Sequence, residues 1–264
     1  MSISSHRPTI LTDVETIPAE GMVLEETKNS FPVSIYHKLI AASFSVLNPT
    51  PKGYDFQQLI TISGSEPKIL SAYSRIHERT QPWWVTYNGH SFDFNVINIR
   101  SFVNGIPQKG WYQPGTKWAS YPNRFADWHT DLCDVMSGYG ATKKLKLDVV
   151  AASIGLPGKS LGMDGSKVAD YYAAGRLAEI RNYCEADTLN TAGVYLRWQL
   201  ITGEINLAQY AYSIEQFLCF LEREGQKDDA RHLHKFRDLI DLTKFAVEEP
   251  PTTQSLVRKA VTHG

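Results

Sequence analysis

The order of strand-like and helix-like segments along the chain constrains the fold more than any other feature of the sequence. The first quarter contains extended runs rich in β-branched and aromatic residues, which are typical of strands. The predicted strands are residues 9–14, stopping at Ile17-Pro18; residues 36–47, closed by Asn48-Pro49; and residues 54–62. Three successive strands, with a loop predicted at 19–34, favour an antiparallel meander.

After residue 63 the pattern changes to helical spacing, interrupted by one short strand. Pro82–Tyr87 is interpreted as that strand, Asn88-Gly89 as a turn, and residues 106–127 as a loop rich in Pro, Gly and Trp. Helices are predicted at 66–79, 91–104, 131–138, 145–154, 166–175, 177–200, 204–223 and 227–246. A meander that leads into alternating helices and strands predicts an α/β fold with a mixed sheet.

The length of 264 residues allows either one large α/β domain or a domain with a helical addition. We predict a main domain over residues 1–203, a C-terminal helical extension over 204–247 and a disordered tail over 248–264. No run approaches the roughly 18 apolar residues of a membrane span, and residues 1–9 lack the apolar core of a secretory signal. Three widely spaced cysteines are typical of reduced thiols, so we expect a cytoplasmic protein that does not associate with membranes.

The formal net charge of −1 does not by itself indicate a nucleic-acid partner. It does not exclude one either. An enzyme that uses several carboxylates as metal ligands gives up positive charge, and bound divalent cations restore it locally.

Asp13 and Glu15 stand two positions apart on the first predicted strand, so their side chains point to the same face. Ile10, Thr12 and Val14 take the opposite face. Neighbouring carboxylates repel each other and are depleted in strands. A divalent cation between them would remove the conflict, because hard cations prefer oxygen ligands. The alternative is a strand end that emerges into solvent, and this pair alone does not decide between the two.

Asp187 lies on the inward face of the helix predicted at 177–200. That face is defined by a stripe at spacings of three and four: Leu177, Ile180, Cys184, Asp187, Thr191, Val194 and Trp198. An acid on a buried stripe is costly unless it is paired or binds a metal. Tyr183 stands one turn earlier, where its hydroxyl can reach the same spot. The alternatives are an acid at the edge of the stripe or one that pairs with an arginine.

Asp93 falls in the first turn of the helix that follows Asn88-Gly89. A helix dipole favours an acid there, which is a sufficient structural explanation for Asp93 in isolation. Asn88 and Asp93 also flank a strand-to-helix turn, the place where α/β sheets present catalytic groups beyond their strand ends. Considered together with the other candidate acids, Asp93 is therefore a candidate for the same site.

Three segments in order resemble the exonuclease motifs of the DEDD superfamily. They are Asp13-x-Glu15, Asn88-x-x-x-Phe92-Asp93 and Tyr183-x-x-x-Asp187. The tyrosine four residues before the last aspartate is similar to the DEDDy branch; the histidine branch would need His at position 182, which is Asn182. The surrounding residues resemble bacterial proteins described as predicted 3′–5′ exonucleases related to the proofreading domain of family-B DNA polymerases. The matching stretches are 13–18, 87–93, 155–159, 163–166 and 183–190, within a similarity over about 8–203.

The sequence departs from that family in two places. Thr12 stands where the family more often has a bulky apolar residue, and the segment 19–34 is polar. Neither departure involves a residue of the three motifs.

The resemblance implies an RNase H-like fold, with a mixed five-stranded sheet, helices on both faces and further C-terminal helices. It implies a 3′–5′ exonuclease that uses two divalent cations, Mg²⁺ or Mn²⁺, to hydrolyse phosphodiester bonds. Asp13, Glu15 and Asp187 would bind one cation, Asp13 would bridge to the second, and Asp93 would hold that second cation through a water. Tyr183 would orient the attacking water.

The expected partner is the single-stranded 3′ end of a nucleic acid, with DNA as the first expectation. Thr16, Ile17, Asn88 and Phe92 adjoin the motifs and are the candidates for binding the terminal nucleotide. The alternatives are an exoribonuclease that trims RNA, since the motifs do not read the 2′ position, and a nucleic-acid-binding module without activity. The sequence does not assign an oligomeric state.

Two further clusters have a structural and a functional interpretation. Lys143, Lys144 and Lys146 could meet phosphates, but a solvated helix start is the favoured interpretation. His129-x-Asp131 with Asp134 has the residue types of a metal cluster, but a helix cap is the favoured interpretation.

Overall fold

The β-branched and aromatic runs of the first 63 residues form three long antiparallel strands, and two shorter strands extend the sheet on the other side. The structure, a computed structural model, describes residues 7–19, 34–159 and 165–247. Most of the predicted loop at 19–34 and all of the predicted tail at 248–264 lie outside the described residues. The strands are β1 (Thr9–Pro18), β2 (His37–Thr50), β3 (Gly53–Ser63), β4 (Trp83–Thr86) and β5 (His129–Asp131).

The sheet has the order β3-β2-β1-β4-β5. β1 pairs with β2, and β2 with β3, in antiparallel fashion, whereas β1–β4 and β4–β5 are parallel. The mixed five-stranded sheet and the α/β class are therefore confirmed. β1, the central strand, is bordered on both sides and its middle is enclosed in the molecule.

Two strand predictions need correction. β2 does not close at Asn48-Pro49 but continues to Thr50, with Pro49 opposite Tyr54. Pro49 stands beside the hairpin turn, where a missing N–H costs the ladder little. β5 was not expected from the residue pattern, because three residues are too few to show strand alternation, and the helix predicted from residue 131 begins at Leu132.

Helices cover both faces of this sheet. Within the described ranges they are α1 (Glu66–Thr80), α2 (Asp93–Asn104), α3 (Lys109–Tyr112), α4 (Leu132–Met136), α5 (Leu147–Ser153), α6 (Val168–Ala173), α7 (Leu177–Thr202), α8 (Leu207–Gly225), α9 (Arg231–Asp238) and α10 (Leu242–Phe245). None of these helices combines the length and the hydropathy that crossing a bilayer requires.

The single helix predicted at 227–246 is wrong, because the chain breaks between α9 and α10. Asp241 caps α10 by accepting a hydrogen bond from the Thr243 amide at 3.1 Å. Its own amide donates to the Gly155 carbonyl at 2.8 Å. This long-range bond turns the chain toward the main body of the fold, which helical spacing alone does not reveal.

β1 divides its side chains between two faces, as predicted from alternation. Ile10 and Val14 pack with α1 and α2 in one apolar cluster, whereas Leu11 joins the cluster on the α7 side. Thr12 is buried on the α1 side, where its hydroxyl donates to the Ser43 carbonyl at 2.9 Å and bonds to the Tyr73 hydroxyl at 2.5 Å. The hydroxyl of Tyr73 on α1 therefore gives Thr12 a hydrogen-bond partner at a position where the family more often has an apolar residue.

The β2–β3 hairpin packs against α8. The Tyr54 amide donates to Ser213 Oγ at 2.9 Å, and the Phe56 ring lies 4.8 Å from Phe217 and 5.6 Å from Phe220. A Cβ added to Gly53, whose φ is 135°, would come within 2.5 Å of the Gln209 carbonyl oxygen. The same apolar cluster thus includes residues before and after position 203, and the domain boundary there stays a prediction.

Candidate active site

The central strand β1 presents Asp13 and Glu15 on the face covered by α7. Each of these side chains and Cys184 of α7 offers one ligand atom, and the three atoms lie within 4.8 Å of one another. Glu15 is 7% exposed, and Asp13 is partly buried. The strand-end alternative for this acidic pair therefore does not hold, since both acids are inside a sheet strand that continues to Pro18.

Asp187 and Tyr183 lie on the same helix, next to these acids. The Tyr183 hydroxyl lies close enough to the Asp187 carboxylate for each group to shift the pKa of the other. Burial raises the pKa of Tyr183, and the nearby carboxylates of Asp187, Glu15 and Asp13 raise it further, so the hydroxyl remains a donor. The predicted stripe on α7 understated its burial: from Cys184 to Leu196 nearly every residue is buried, because helices and the sheet enclose its middle.

Asp93 is 3% exposed at the start of α2 and faces the same group of acids. Burial raises the pKa of Asp93 to about 7, and the Asp131 and Asp187 carboxylates contribute in the same direction. The pKa of Asp13 is well above its ordinary value because of burial and the charges of Glu15, Asp93 and Asp187. Burial likewise raises the pKa of Asp187 to about 6. The structure therefore brings all four predicted acids within electrostatic reach of one another.

This cluster fits divalent cations. No basic side chain among the described residues forms an ion pair with the four acids. The charge of Lys159 lowers the pKa of Asp187, but the mutual repulsion of the carboxylates raises the pKa values of Asp13 and Glu15. Carboxylate oxygens are the ligands that Mg²⁺ and Mn²⁺ prefer. Cys184 does not compete as a soft ligand, because its thiol donates to the Asp13 main-chain oxygen at 3.3 Å.

A sharp turn carries Asn88 and leads to Asp93. Asn88 has the left-handed φ of 71°, which asparagine adopts more readily than most residues. Gly89 follows because a Cβ there would come within 2.3 Å of Thr86 Oγ1. This confirms the predicted Asn88-Gly89 turn and explains its sequence.

Asp131, at the end of β5, holds this turn. Its carboxylate accepts from the Asn88 amide at 2.8 Å and the His90 amide at 2.9 Å. It also caps α4, accepting from the amide of Cys133 at 3.0 Å. The favoured helix-cap interpretation of Asp131 is confirmed, but its contacts with the Asn88 turn were missed.

His90, Asp131 and Asp134 form a second acidic cluster with metal-like spacing, yet its charges are already paired. Asp134 binds Arg124 Nη2 at 2.7 Å, His90 Nδ1 at 2.9 Å and Lys144 Nζ at 3.0 Å. Two cations on one carboxylate leave no electrostatic need for a metal ion there. We therefore assign this cluster a supporting role beneath the Asn88 turn.

A cavity of about 370 Å³ opens beside Glu15. Of the four predicted substrate-binding residues, Thr16, Ile17 and Phe92 line it, whereas Asn88 is not among its lining residues. The remaining lining residues are Val14, Glu15, Pro18, Tyr36, His37, Gly165, Ser166 and Ala169. Its size falls in the ordinary range of small-molecule sites, roughly 300–1,000 Å³.

His37 and Gly165 are cavity residues that the sequence did not single out. His37 Nδ1 bonds to Thr16 Oγ1 at 2.9 Å, and its ring meets Phe92 edge-on at 5.1 Å. A Cβ built on Gly165 would lie 3.5 Å from the Tyr183 hydroxyl, so this glycine borders the site. The 163–166 stretch carried a signal for Gly165, but nothing in the residue pattern pointed to His37.

Comparison with known proteins supports the fold and the family. A search of curated protein sequences found no match. The structure is similar to that of the family B DNA polymerase from the hyperthermophilic archaeon Pyrobaculum calidifontis, with a TM-score of 0.52 and 15% identity. The similarity covers 90% of this chain but 28% of the polymerase, and at this identity it shows the fold alone. An RNase H-like fold, as found in a polymerase exonuclease domain, is confirmed.

A family model described as a predicted 3′–5′ exonuclease related to the exonuclease domain of PolB matches residues 29–240. The matched span includes Asn88, Asp93, Tyr183 and Asp187, while Asp13 and Glu15 precede it. It also extends beyond the similarity noticed at about 8–203, into α8 and α9. Since the model covers most of the chain, this protein belongs to the family of predicted 3′–5′ exonucleases related to the exonuclease domain of PolB.

Proposed function

We propose that this protein hydrolyses phosphodiester bonds from the 3′ end of single-stranded DNA, using two Mg²⁺ or Mn²⁺ ions. The observation that supports this most strongly is the convergence of Asp13, Glu15, Asp93 and Asp187, with Glu15 in the wall of a cavity. The mutual repulsion of four such carboxylates is unfavourable for the fold unless cations bind between them.

The roles of the residues follow from their positions. Asp13, Glu15, Asp93 and Asp187 would hold the cations. When bound, such ions supply an activated water and neutralise charge on the leaving 3′ oxygen. Tyr183 lies beside Asp187 at the edge of the cluster, where its hydroxyl can orient the attacking water.

The cavity suits the last nucleotide of a strand. Phe92 and Ile17 offer apolar contact for a base, and Glu15 lies in the same wall. A site that encloses a 3′ end favours single strands, because a blunt duplex must first fray before its end can enter.

The test is a time course on 5′-labelled single-stranded DNA and RNA, with EDTA, Mg²⁺ or Mn²⁺. We expect a ladder that shortens from the 3′ end, no hydrolysis in EDTA, and no hydrolysis of a strand that ends in a 3′-phosphate. Asp187→Asn should be inactive, with Asp228→Asn, an exposed acid, as the matched control.

Other outcomes distinguish the alternatives. A ladder on RNA alone would identify an exoribonuclease, and binding of strands without any hydrolysis would identify an inactive binding module. Cleavage of a closed circular strand would show an endonuclease and contradict the proposal. Full activity after exhaustive chelation would contradict the role of the metal ions.

A further inference from the structure

An exposed group of aromatic and basic side chains adjoins the Asn88 turn through Lys144. We name Arg124, Phe125, Tyr139, Lys143, Lys144 and Lys146 the aromatic–basic strip. Phe125 is 67% exposed and Tyr139 45% exposed, and their ring centroids lie 5.1 Å apart. Single exposed apolar residues need no explanation, but two exposed rings in contact, with the Arg124 guanidinium over one of them, do.

The strip is connected to the candidate active site by direct contacts. Lys144 Nζ donates to Asn88 Oδ1 and to Ser91 Oγ, both at 2.9 Å. Arg124 shares the Asp134 carboxylate with Lys144, and its guanidinium lies 5.6 Å from the centre of the Phe125 ring. The path from Asn88 to Tyr139 is therefore a continuous chain of neighbouring side chains.

Buried acidic side chains lie beneath the basic side chains of the strip. Asp131 and Asp134 are fully buried, whereas Arg124 and Lys144 above them are 46% and 36% exposed. Lys143 and Lys146 are exposed as well, and α5 begins only at Leu147, so these lysines precede the helix rather than form its first turn. Asp127 is the exposed acid nearest in sequence to Arg124 and Phe125. The outer surface of the strip is therefore mainly cationic.

The backbone around Tyr139 has an unusual conformation. Gly138, Tyr139 and Gly140 have consecutive positive φ values of 58°, 55° and 93°. A tyrosine in the left-handed region is strained. The turn therefore holds the exposed Tyr139 ring beside Phe125 although its backbone conformation is unfavourable for tyrosine.

We infer that the strip binds the single strand upstream of its 3′ end, with bases stacked on Phe125 and Tyr139 and phosphates near the lysines. This inference rests on the proposed function. Exposed aromatic rings beside a cationic surface are the combination that binds single strands without sequence preference. A negatively charged strand also matches the charge of the surface, which an apolar protein segment would not.

The test compares a single strand of about 20 nucleotides, longer than usual single-strand sites of about 4–16 nucleotides, with a dinucleotide that reaches only the cavity. Binding is measured in EDTA by fluorescence anisotropy, and kcat and KM are measured with Mn²⁺. The variants are Phe125→Ala and the double variant Lys143→Ala with Lys146→Ala. The controls are Phe102→Ala, 85% exposed on α2, and Lys52→Ala in the β2–β3 turn.

Phe125→Ala should weaken binding of the long strand about 5- to 100-fold, as loss of one stacking side chain does. It should raise KM for that strand and leave turnover of the dinucleotide unchanged. The double lysine variant should reduce the salt dependence of binding by about 0.7 in log–log slope per lysine. A purely structural role would not change this slope.

The outcomes separate this inference from the proposed function. If the wild type binds the long strand but does not hydrolyse it, the proposed function is contradicted. The binding measurements on the variants then still show whether the strip binds the strand. If the wild type does not bind the strand, or if the variants bind it like the two controls, the strip is not a strand path and the inference is overturned.

Discussion

At the scale of single residues, Tyr183 and Asp187 share one face of α7 but have different proposed tasks. Asp187 is a proposed metal ligand, so Asp187→Asn should weaken Mn²⁺ binding and remove nearly all turnover. Tyr183 lies beside that carboxylate but is not a proposed ligand, so Tyr183→Phe should keep metal affinity and lower kcat by about 10²–10⁴-fold, the usual effect of losing such a group.

Isothermal titration with Mn²⁺ and single-turnover rates on both variants check this distinction. The loss for Tyr183→Phe should appear in kcat and kcat/KM alike, as expected for an interaction made in the transition state. Wild-type turnover would mean that Tyr183 only packs. Loss of metal as severe as in Asp187→Asn would show that it does more than orient water.

The sequence predicted the positions of these residues because local rules determine them. Alternation on one strand places Asp13 and Glu15 together, and a spacing of four places Tyr183 beside Asp187. Asp131 could not be predicted in this way, since the amides that it binds lie 41 and 43 residues away along the chain. His37 lies at the start of β2 opposite Pro18 of β1, and alternation along the strand does not show that it borders the cavity.

At the scale of secondary-structure elements, a buried ion pair joins α1, α2 and β2. Glu66, at the start of α1, accepts from Arg100 Nε at 2.8 Å and Nη2 at 2.7 Å and from the Leu39 amide at 2.9 Å. Glu66 is 5% exposed, so Glu66→Gln should leave the Arg100 charge without its partner. We expect a loss of about 3–5 kcal/mol in the free energy of unfolding, measured by urea denaturation at pH 7.

The pH dependence follows from the direction of the pKa shift. Burial would raise the pKa of Glu66, but hydrogen bonds from Arg100, Leu39 and Asn104 outweigh it, so the folded-state pKa lies below the ordinary value of 4.5. The stabilisation is therefore complete above about pH 4.5 and is lost as the pH falls through the lower folded-state value. The difference between wild type and Glu66→Gln should shrink over that range. Glu78→Gln, exposed on the same helix, should show neither effect, and a pH-independent difference would contradict the assignment.

The ends of helices and strands were predictable where they depend on residues close by in the sequence. The ends of β3 and α1 differ from expectation by one residue each. The break between α9 and α10 depends on the Asp241–Gly155 bond, and β5 is held as a strand by pairing with β4. Both depend on partners far away in sequence, which explains why one was predicted wrongly and the other was missed.

At the scale of the whole molecule, the acid cluster should make the protein less stable without metal than with it. Bound Mn²⁺ stabilises the folded state by mass action, by about 2.7 kcal/mol at a concentration 100 times the Kd. Asp13→Asn removes one of four repelling carboxylates. We therefore expect its Tm in EDTA to exceed that of the wild type, and its Tm shift with Mn²⁺ to be much smaller.

Thermal unfolding with and without Mn²⁺ measures both effects, and Asp228→Asn should behave as the wild type. A lower Tm for Asp13→Asn in EDTA would show that Asp13 is needed for the fold itself. An unchanged Mn²⁺ shift would show that the ion binds elsewhere.

The packing of α8 on the β2–β3 hairpin also has a consequence for synthesis on the ribosome. Tyr54 and its partner Ser213 are separated by 159 positions. At about 5–20 residues per second, the hairpin emerges roughly 8–30 s before the helix that covers it. During that interval the rings of Tyr54 and Phe56 lack their cover, on a strand that forms an edge of the finished sheet. The nascent chain is therefore most exposed to aggregation while α8 is still untranslated, and the yield of soluble protein should depend on elongation rate and on chaperones that bind the early hairpin.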